Sequence, residues 1–225
     1  MLTQTAVVTP FVVTYRTGAR HSFRPIEKPV RLFGGTEKTF GPNEELFGEG
    51  ESADHIYKMV RGTVRSYKSL GGGRRKIEAF RLRGDVFGLE AGKEREFCAE
   101  AVDEVSVLIT RRMTVVGATI DCEAVQELWA ATARELQRVQ RHALLLAMNA
   151  RQRVACFLLE MSRRLGEPDV VELPMSRQDI ADYLGLTIET VSRTITRFEA
   201  KGLVWLPTSR QIVLRDRGAL RRMNE

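Results

Sequence analysis

Ser176-Arg177-Gln178-Asp179-Ile180-Ala181-Asp182-Tyr183-Leu184-Gly185-Leu186-Thr187-Ile188-Glu189-Thr190-Val191-Ser192-Arg193 is the stretch whose reading decides the fold. Ser176 and Asp179 stand three apart, the spacing at which a hydroxyl and a carboxylate cap a helix start. The helix then runs through Ile180, Ala181 and Leu184 to Gly185, where a glycine permits a sharp turn. Thr187 caps a second helix from Ile188 to about Ala200. A small residue at the crossing (Ala181), a glycine in the turn and an apolar anchor (Val191) are what a helix-turn-helix requires. Just beyond, Leu203-Val204-Trp205-Leu206 and Gln211-Ile212-Val213-Leu214 bracket Pro207-Thr208-Ser209-Arg210, a hairpin that reads as a wing.

Helix geometry selects the side chains that would meet DNA. Residues in the first turns of the second helix, opposite Val191, Ile195 and Phe198, are Ile188, Glu189, Ser192 and Arg193, and these are expected to read bases. Arg193 can donate two hydrogen bonds to a guanine edge, and Glu189 can accept from a cytosine amine. Glu189 and Arg193 also fit an i,i+4 surface ion pair, which would pre-align the arginine. Ser176, Arg177, Thr190, Arg197 and Lys201 are expected on phosphates.

Upstream of this unit, Asp121 to Ala150 contains neither Gly nor Pro. Val125, Leu128, Thr132, Leu136, Val139, Ala143, Leu146 and Ala150 recur in steps of three and four. They form a narrow stripe along a helix of roughly 30 residues and ~45 Å. The stripe can pack on its own chain or on a second copy; a helix so long outgrows one small barrel and favours a homodimer. Val154, Phe157, Leu158, Met161 and Leu165 mark a further helix, ended by Gly166 and Pro168.

Residues 31–116 have another texture. Glycines punctuate short β-friendly runs such as His55–Val60, Thr63–Tyr67 and Val102–Ile109, and Gly71-Gly72-Gly73 reads as a hairpin tip. The fold class is therefore α+β: an N-terminal arm (1–30), an antiparallel β-barrel (31–116), a dimerisation helix (117–149) and a winged helix-turn-helix (150–225). Lys plus Arg exceed Asp plus Glu by 35 − 29 = 6, which suits a polyanionic partner. No run approaches the ~18 apolar residues of a membrane span, and the start does not read as a signal peptide, so a cytoplasmic chain without membrane contact is expected.

With these motifs in hand, the chain resembles the CRP/FNR family of bacterial transcription regulators, most closely its FixK-like subgroup. Leu46-Phe47-Gly48-Glu49-Gly50, Ile56 to Val64 and Gly84-Asp85-Val86-Phe87-Gly88 resemble the cyclic-nucleotide-binding barrel. Glu189-Thr190-Val191-Ser192-Arg193 matches the Glu-x-x-Ser-Arg signature of FNR-type recognition helices. The resemblance implies a homodimeric regulator, an activator by preference, that reads a TTGAT-N4-ATCAA palindrome, recruits RNA polymerase and serves low-oxygen or nitrogen-fixation genes.

Two departures qualify it. Cyclic-AMP-binding members carry an arginine followed by a small hydroxyl residue after the Gly-Asp turn; here Arg95 is followed by Glu96 and Phe97, which oppose a phosphate. Iron–sulfur members need four cysteine ligands, and this sequence has Cys98, Cys122 and Cys156 only. No cofactor or metal is expected, and His21, His55 and His142 read as ordinary histidines. A cupin-type enzyme lacks its His-x-His here, and no catalytic motif is visible, so no enzyme is expected. Control would fall to expression level, proteolysis or modification, with Cys156, Cys122 and Ser176 as the sensitive groups. Arg74-Arg75-Lys76 at the glycine tip reads either as a polymerase-contact patch or as a solvated hairpin.

Overall fold

The computed structural model describes residues 35–112, 122–166 and 169–223. The N-terminal arm, His21 and residues 113–121 lie outside these, as does the side chain of Cys122.

Eight strands build the first unit: β1 (Thr36–Phe40), β2 (Glu45–Phe47), β3 (His55–Arg61), β4 (Val64–Leu70), β5 (Arg74–Arg81), β6 (Val86–Phe87), β7 (Cys98–Ala101) and β8 (Val105–Arg111). They pair as two antiparallel four-stranded sheets, β1-β8-β3-β6 and β2-β7-β4-β5, facing one another rather than closing into a ring. Phe47, Tyr57 and Phe87 stack between them with centroids 5.2–6.2 Å apart, among Val64, Val105 and Val107. Gly71, Gly72 and Gly73, all at positive φ, do form the β4–β5 tip. The run Val102–Ile109 is not one strand. It bends at 102–104, where the Val102 N–H donates to the Thr63 carbonyl and Asp103 accepts from the Thr63 N–H at 2.6 Å.

The long helix α1 (Cys122–Leu146) is shorter than its apolar stripe suggests. Asn149 accepts from the N–H groups of Arg151 and Gln152, and Gln152 reaches back to the Asn149 N–H. This capping box stops one helix and starts α2 (Ala150–Leu165), so Ala150 belongs to the second. Along α1, Ala131, Glu135, Arg138, His142 and Leu145 face the sheets and α2. Arg138 and Arg81 clamp Glu135, and Arg138 also holds Glu78 on β5. Burial disfavours the Glu135 carboxylate, yet hydrogen bonds from Arg138 and Arg81 hold its pKa down at about 2. Val125, Leu136, Val139 and Trp129, the last 75% exposed, are left uncovered on the other side.

Beyond α2 come β9 (Val170–Glu172), α3 (Arg177–Leu184), α4 (Ile188–Ala200), β10 (Val204–Trp205), β11 (Gln211–Leu214) and α5 (Arg217–Arg222), with sheet order β10-β11-β9. The largest core joins the two units. Ile77, Phe80 and Leu82 from β5 and the turn after it pack with Phe157, Leu158 and Met161 of α2 and with Tyr183 of α3. The Arg74-Arg75-Lys76 segment is therefore neither solvated nor a free patch at Arg75 and Lys76. Arg75 pairs with Asp179 and Asp182, and Lys76 donates to the Tyr183 carbonyl at 2.8 Å. Only Arg74 remains exposed.

Candidate nucleic-acid interface

The helix-turn-helix is held by caps at three of its four helix ends. Ser176 Oγ accepts from the Asp179 N–H at 3.0 Å, and the Asp179 carboxylate accepts from the Ser176 N–H at 2.9 Å. Gly185 closes α3 at φ 63°, in the left-handed region, where a side chain would be strained. Thr187 accepts from the Thr190 N–H to open α4. Arg153 then locks the turn from below, donating to the carbonyls of Leu184 (2.9 Å), Met148 (2.8 Å) and Leu146 (2.6 Å). The Leu146 and Leu184 carbonyls are helix-end groups and that of Met148 lies in the link after α1, so one guanidinium ties the end of α1 to the turn.

Val191, Ile195 and Phe198 are buried under α4, which leaves Glu189, Ser192 and Arg193 exposed on its outer face, with Ile188 partly so. Thr190 is half-buried, its hydroxyl 3.1 Å from that of Thr187. Arg197 and Lys201 are exposed at the far end of the same helix. The anticipated Glu189–Arg193 ion pair is not formed: no contact within 4.0 Å joins them among the described residues. The backbone at the start of α4 and Thr187 hold the Glu189 carboxyl below its ordinary value, with Arg193 a minor influence. The Arg193 guanidinium is left without a carboxylate partner, and the Glu189 carboxyl, though held by Thr187 and the helix start, is fully exposed.

Arg177 sits less openly than its sequence position implies. It is half-buried, donates to the Ser209 carbonyl of the wing turn at 3.1 Å, and burial lowers its pKa. Its Nη1 is buried without a hydrogen-bond partner. Ser176 is exposed, but its hydroxyl donates to Asp179 at 2.7 Å.

Sequence reasoning missed Arg151. It lies at the N-terminus of α2, and a groove of about 440 Å3 is lined by Arg151, Arg193, Arg197, Thr190 and Asn149. Three guanidinium groups beside a helix N-terminus make a place for a phosphate. The readable signal was the Asn-x-x-Gln box at Asn149–Gln152, which marks the helix start and places Arg151 in its first turn.

The barrel offers a contrast. Arg95 is 2% exposed, donating to Glu90 at 2.7 Å and to the His55 carbonyl at 2.6 Å, with its head 4.2 Å from the Phe47 ring. His142 packs on Tyr183 with centroids 4.3 Å apart; burial, then Lys76 and Arg138, hold its pKa down at about 4. The Cys156 sulfur lies 3.8 Å from that of Met148, and burial followed by the Glu160 charge pushes its thiol up, away from a reactive thiolate. Among the described residues no group of three or more His, Cys, Asp or Glu could hold a metal, and no helix is long and apolar enough to cross a membrane.

Comparison with known proteins agrees with this architecture. Residues 37–116 match the cyclic nucleotide-binding domain, and residues 152–223 match the Crp-like helix-turn-helix domain. The nitrogen fixation regulation protein FixK of Azorhizobium caulinodans is 47% identical over 213 residues, covering 92% of this chain and 85% of that protein. FixK of Rhizobium meliloti is 40% identical, covering 81% of this chain and 84% of its own. The structure of FixK2 from Bradyrhizobium japonicum superposes with a TM-score of 0.79 at 47% identity, over 84% of this chain and 97% of that one. These relatives are regulators rather than enzymes, and this chain belongs with them to the CRP/FNR family of transcription regulators, in its FixK-like branch.

Proposed function

We propose that this protein is a homodimeric, sequence-specific DNA-binding regulator that reads a TTGAT-N4-ATCAA-type palindrome through Glu189, Ser192 and Arg193, with Ile188 against the base edges. The observation that carries the reading is that these polar side chains stand exposed, with no ion pair between Glu189 and Arg193, on the face of α4 opposite its buried anchors. Ser176, Arg177, Thr190, Arg197, Lys201 and Arg151 surround them as phosphate contacts. The uncovered stripe of Val125, Trp129, Leu136 and Val139 is the surface for the second copy, in the manner of a two-stranded coiled coil.

The barrel acts as scaffold, without a cyclic nucleotide or an iron–sulfur cluster. Arg95 already has a carboxylate partner, and Glu96 and Phe97 stand where a phosphate would need a small hydroxyl. The FixK relatives are nitrogen fixation regulation proteins, which favours control of nitrogen-fixation genes; the family resemblance extends this to low-oxygen genes, a cytoplasmic location and recruitment of RNA polymerase as an activator recruits it. Control by modification rests with Ser176, with Cys122 as a second candidate, while Cys156, whose thiol burial keeps protonated, is disfavoured; at Ser176 an added negative group would face phosphates and displace Asp179.

Footprinting on such a palindrome tests the reading. Two protected half-sites one helical turn apart, lost when Leu136→Glu makes the protein monomeric by sedimentation, are expected. Uniform protection of any DNA would contradict it.

A further inference from the structure

A crevice of about 450 Å3 opens where the turn between β5 and β6, one flank of α1 and the last turn of α2 meet. Six arginines line it: Arg83, Arg134, Arg138, Arg141, Arg163 and Arg164. The lining carboxylates number three, Asp85, Glu135 and Glu160, so the wall carries a net charge of 6 − 3 = +3. Arg138 is neutralised by Glu135 and Glu78, and Arg164 by Asp85. Arg83, Arg134, Arg141 and Arg163 are exposed at the rim, and among the described residues no carboxylate lies within 4.0 Å of any of them. The polar contact of Arg141 is with Gln137, at 3.4 Å.

Four unpaired cations drawn from three separate elements into one concavity repel each other, and the low-dielectric walls strengthen their common field. A solvated face would instead spread them over a convex surface. Arg134 and Arg141 lie on the side of α1 opposite Leu136 and Val139, so a second copy on that stripe leaves the crevice open. The crevice is also remote from the DNA-reading groove. The two lie at opposite ends of α2, whose 16 residues span about 24 Å.

We propose that this crevice binds a small polyanion carrying two or more linked phosphates, either inorganic polyphosphate or a nucleoside polyphosphate. Guanidinium groups pair with phosphate oxygens through two parallel hydrogen bonds, and the crevice has room for more than one phosphate group. Bound there, the ligand bridges the dimer helix, the barrel and the first helix of the DNA-binding unit, and stabilises the arrangement in which all three meet.

Calorimetry on the full chain with inorganic tripolyphosphate tests this, with sulfate at matched ionic strength as control. Saturable binding is expected for tripolyphosphate and none for sulfate. The pair Arg134→Gln/Arg163→Gln, whose folding is checked by circular dichroism, should weaken the tightest binding event at least about tenfold, while Arg193→Gln/Arg197→Gln, which removes cations from the other phosphate-accepting groove, leaves that tightest event in place. Adenosine and guanosine triphosphates form a second arm: tighter binding than tripolyphosphate assigns the site to a nucleotide, and equal binding to the phosphate chain alone. No saturable heat, equal binding by the crevice variant, or loss of binding in the DNA-face variant instead would overturn the proposal.

Discussion

Arg193 on α4 and Arg95 in the barrel carry the same charge into opposite settings. Arg193 is exposed, with no carboxylate within 4.0 Å among the described residues, whereas Arg95 is buried against Glu90, the His55 carbonyl and two aromatic rings. The difference teaches what makes an arginine available to an outside anion. Proximity to a family motif is not enough; the chain must also refrain from supplying its own carboxylate. Arg65 and Arg75 repeat the lesson on the barrel side, both drawn inward by Asp179, itself 2% exposed.

The comparison breaks first at the buried arginines. Asp179→Ala removes a helix cap and the buried carboxylate that Arg65 and Arg75 share, leaving them with the Glu100 and Asp182 carboxylates alone, so a loss of about 3–5 kcal/mol in urea unfolding is expected. Arg95→Ala strands the Glu90 carboxylate, side chain 12% exposed, and should fall in the same range. Arg193→Ala is expected to leave the unfolding midpoint within about 0.5 kcal/mol of the parent. Its effect is on DNA, where it costs about 1–3 kcal/mol per half-site and relaxes preference at one base pair. Equal destabilisation by Arg95→Ala and Arg193→Ala would erase the distinction.

A third effect is set by pH. His142 is neutral in the fold down to about 4, while an unfolded histidine takes its proton near ~6.5. The unfolded state therefore binds more protons between these values, and stability falls as pH drops through that window. His142→Gln should flatten this part of the unfolding profile relative to the parent; identical profiles would contradict the assignment. The smallest effect is at Glu189, which makes no ion pair with Arg193. Glu189→Gln should leave the melting temperature unmoved and change only which palindromes are preferred.

Much of the DNA-binding unit was legible because its determinants are local. Ser176 and Asp179, Gly185, and Thr187 each act within four residues of their partners, so spacing alone bounded α3 and α4. The stripe on α1 was legible for the same reason, but its end was not. Asn149 stops the helix by a cap that the continuing apolar period masked. What stayed hidden is long-range. Arg65 and Asp179 are 114 positions apart, and no periodicity connects them. The docking of Arg75 and Lys76 on α3, the clamp by Arg153 and the three-residue strand β9 depend likewise on partners that only folding brings near. The Glu189–Arg193 pair failed in the other direction: spacing allowed it, and the side chains do not make it.

The most direct test of the central claim is fluorescence anisotropy of the full chain on a TTGAT-N4-ATCAA duplex and on a scrambled duplex of equal length, with no nucleotide or metal added. The account predicts that the palindrome is bound at least ~10³-fold more tightly at physiological salt, and that Arg193→Ala removes much of that ratio while leaving scrambled-DNA affinity intact. Equal affinity for both duplexes, or equal loss on both when Arg193 is replaced, would contradict it.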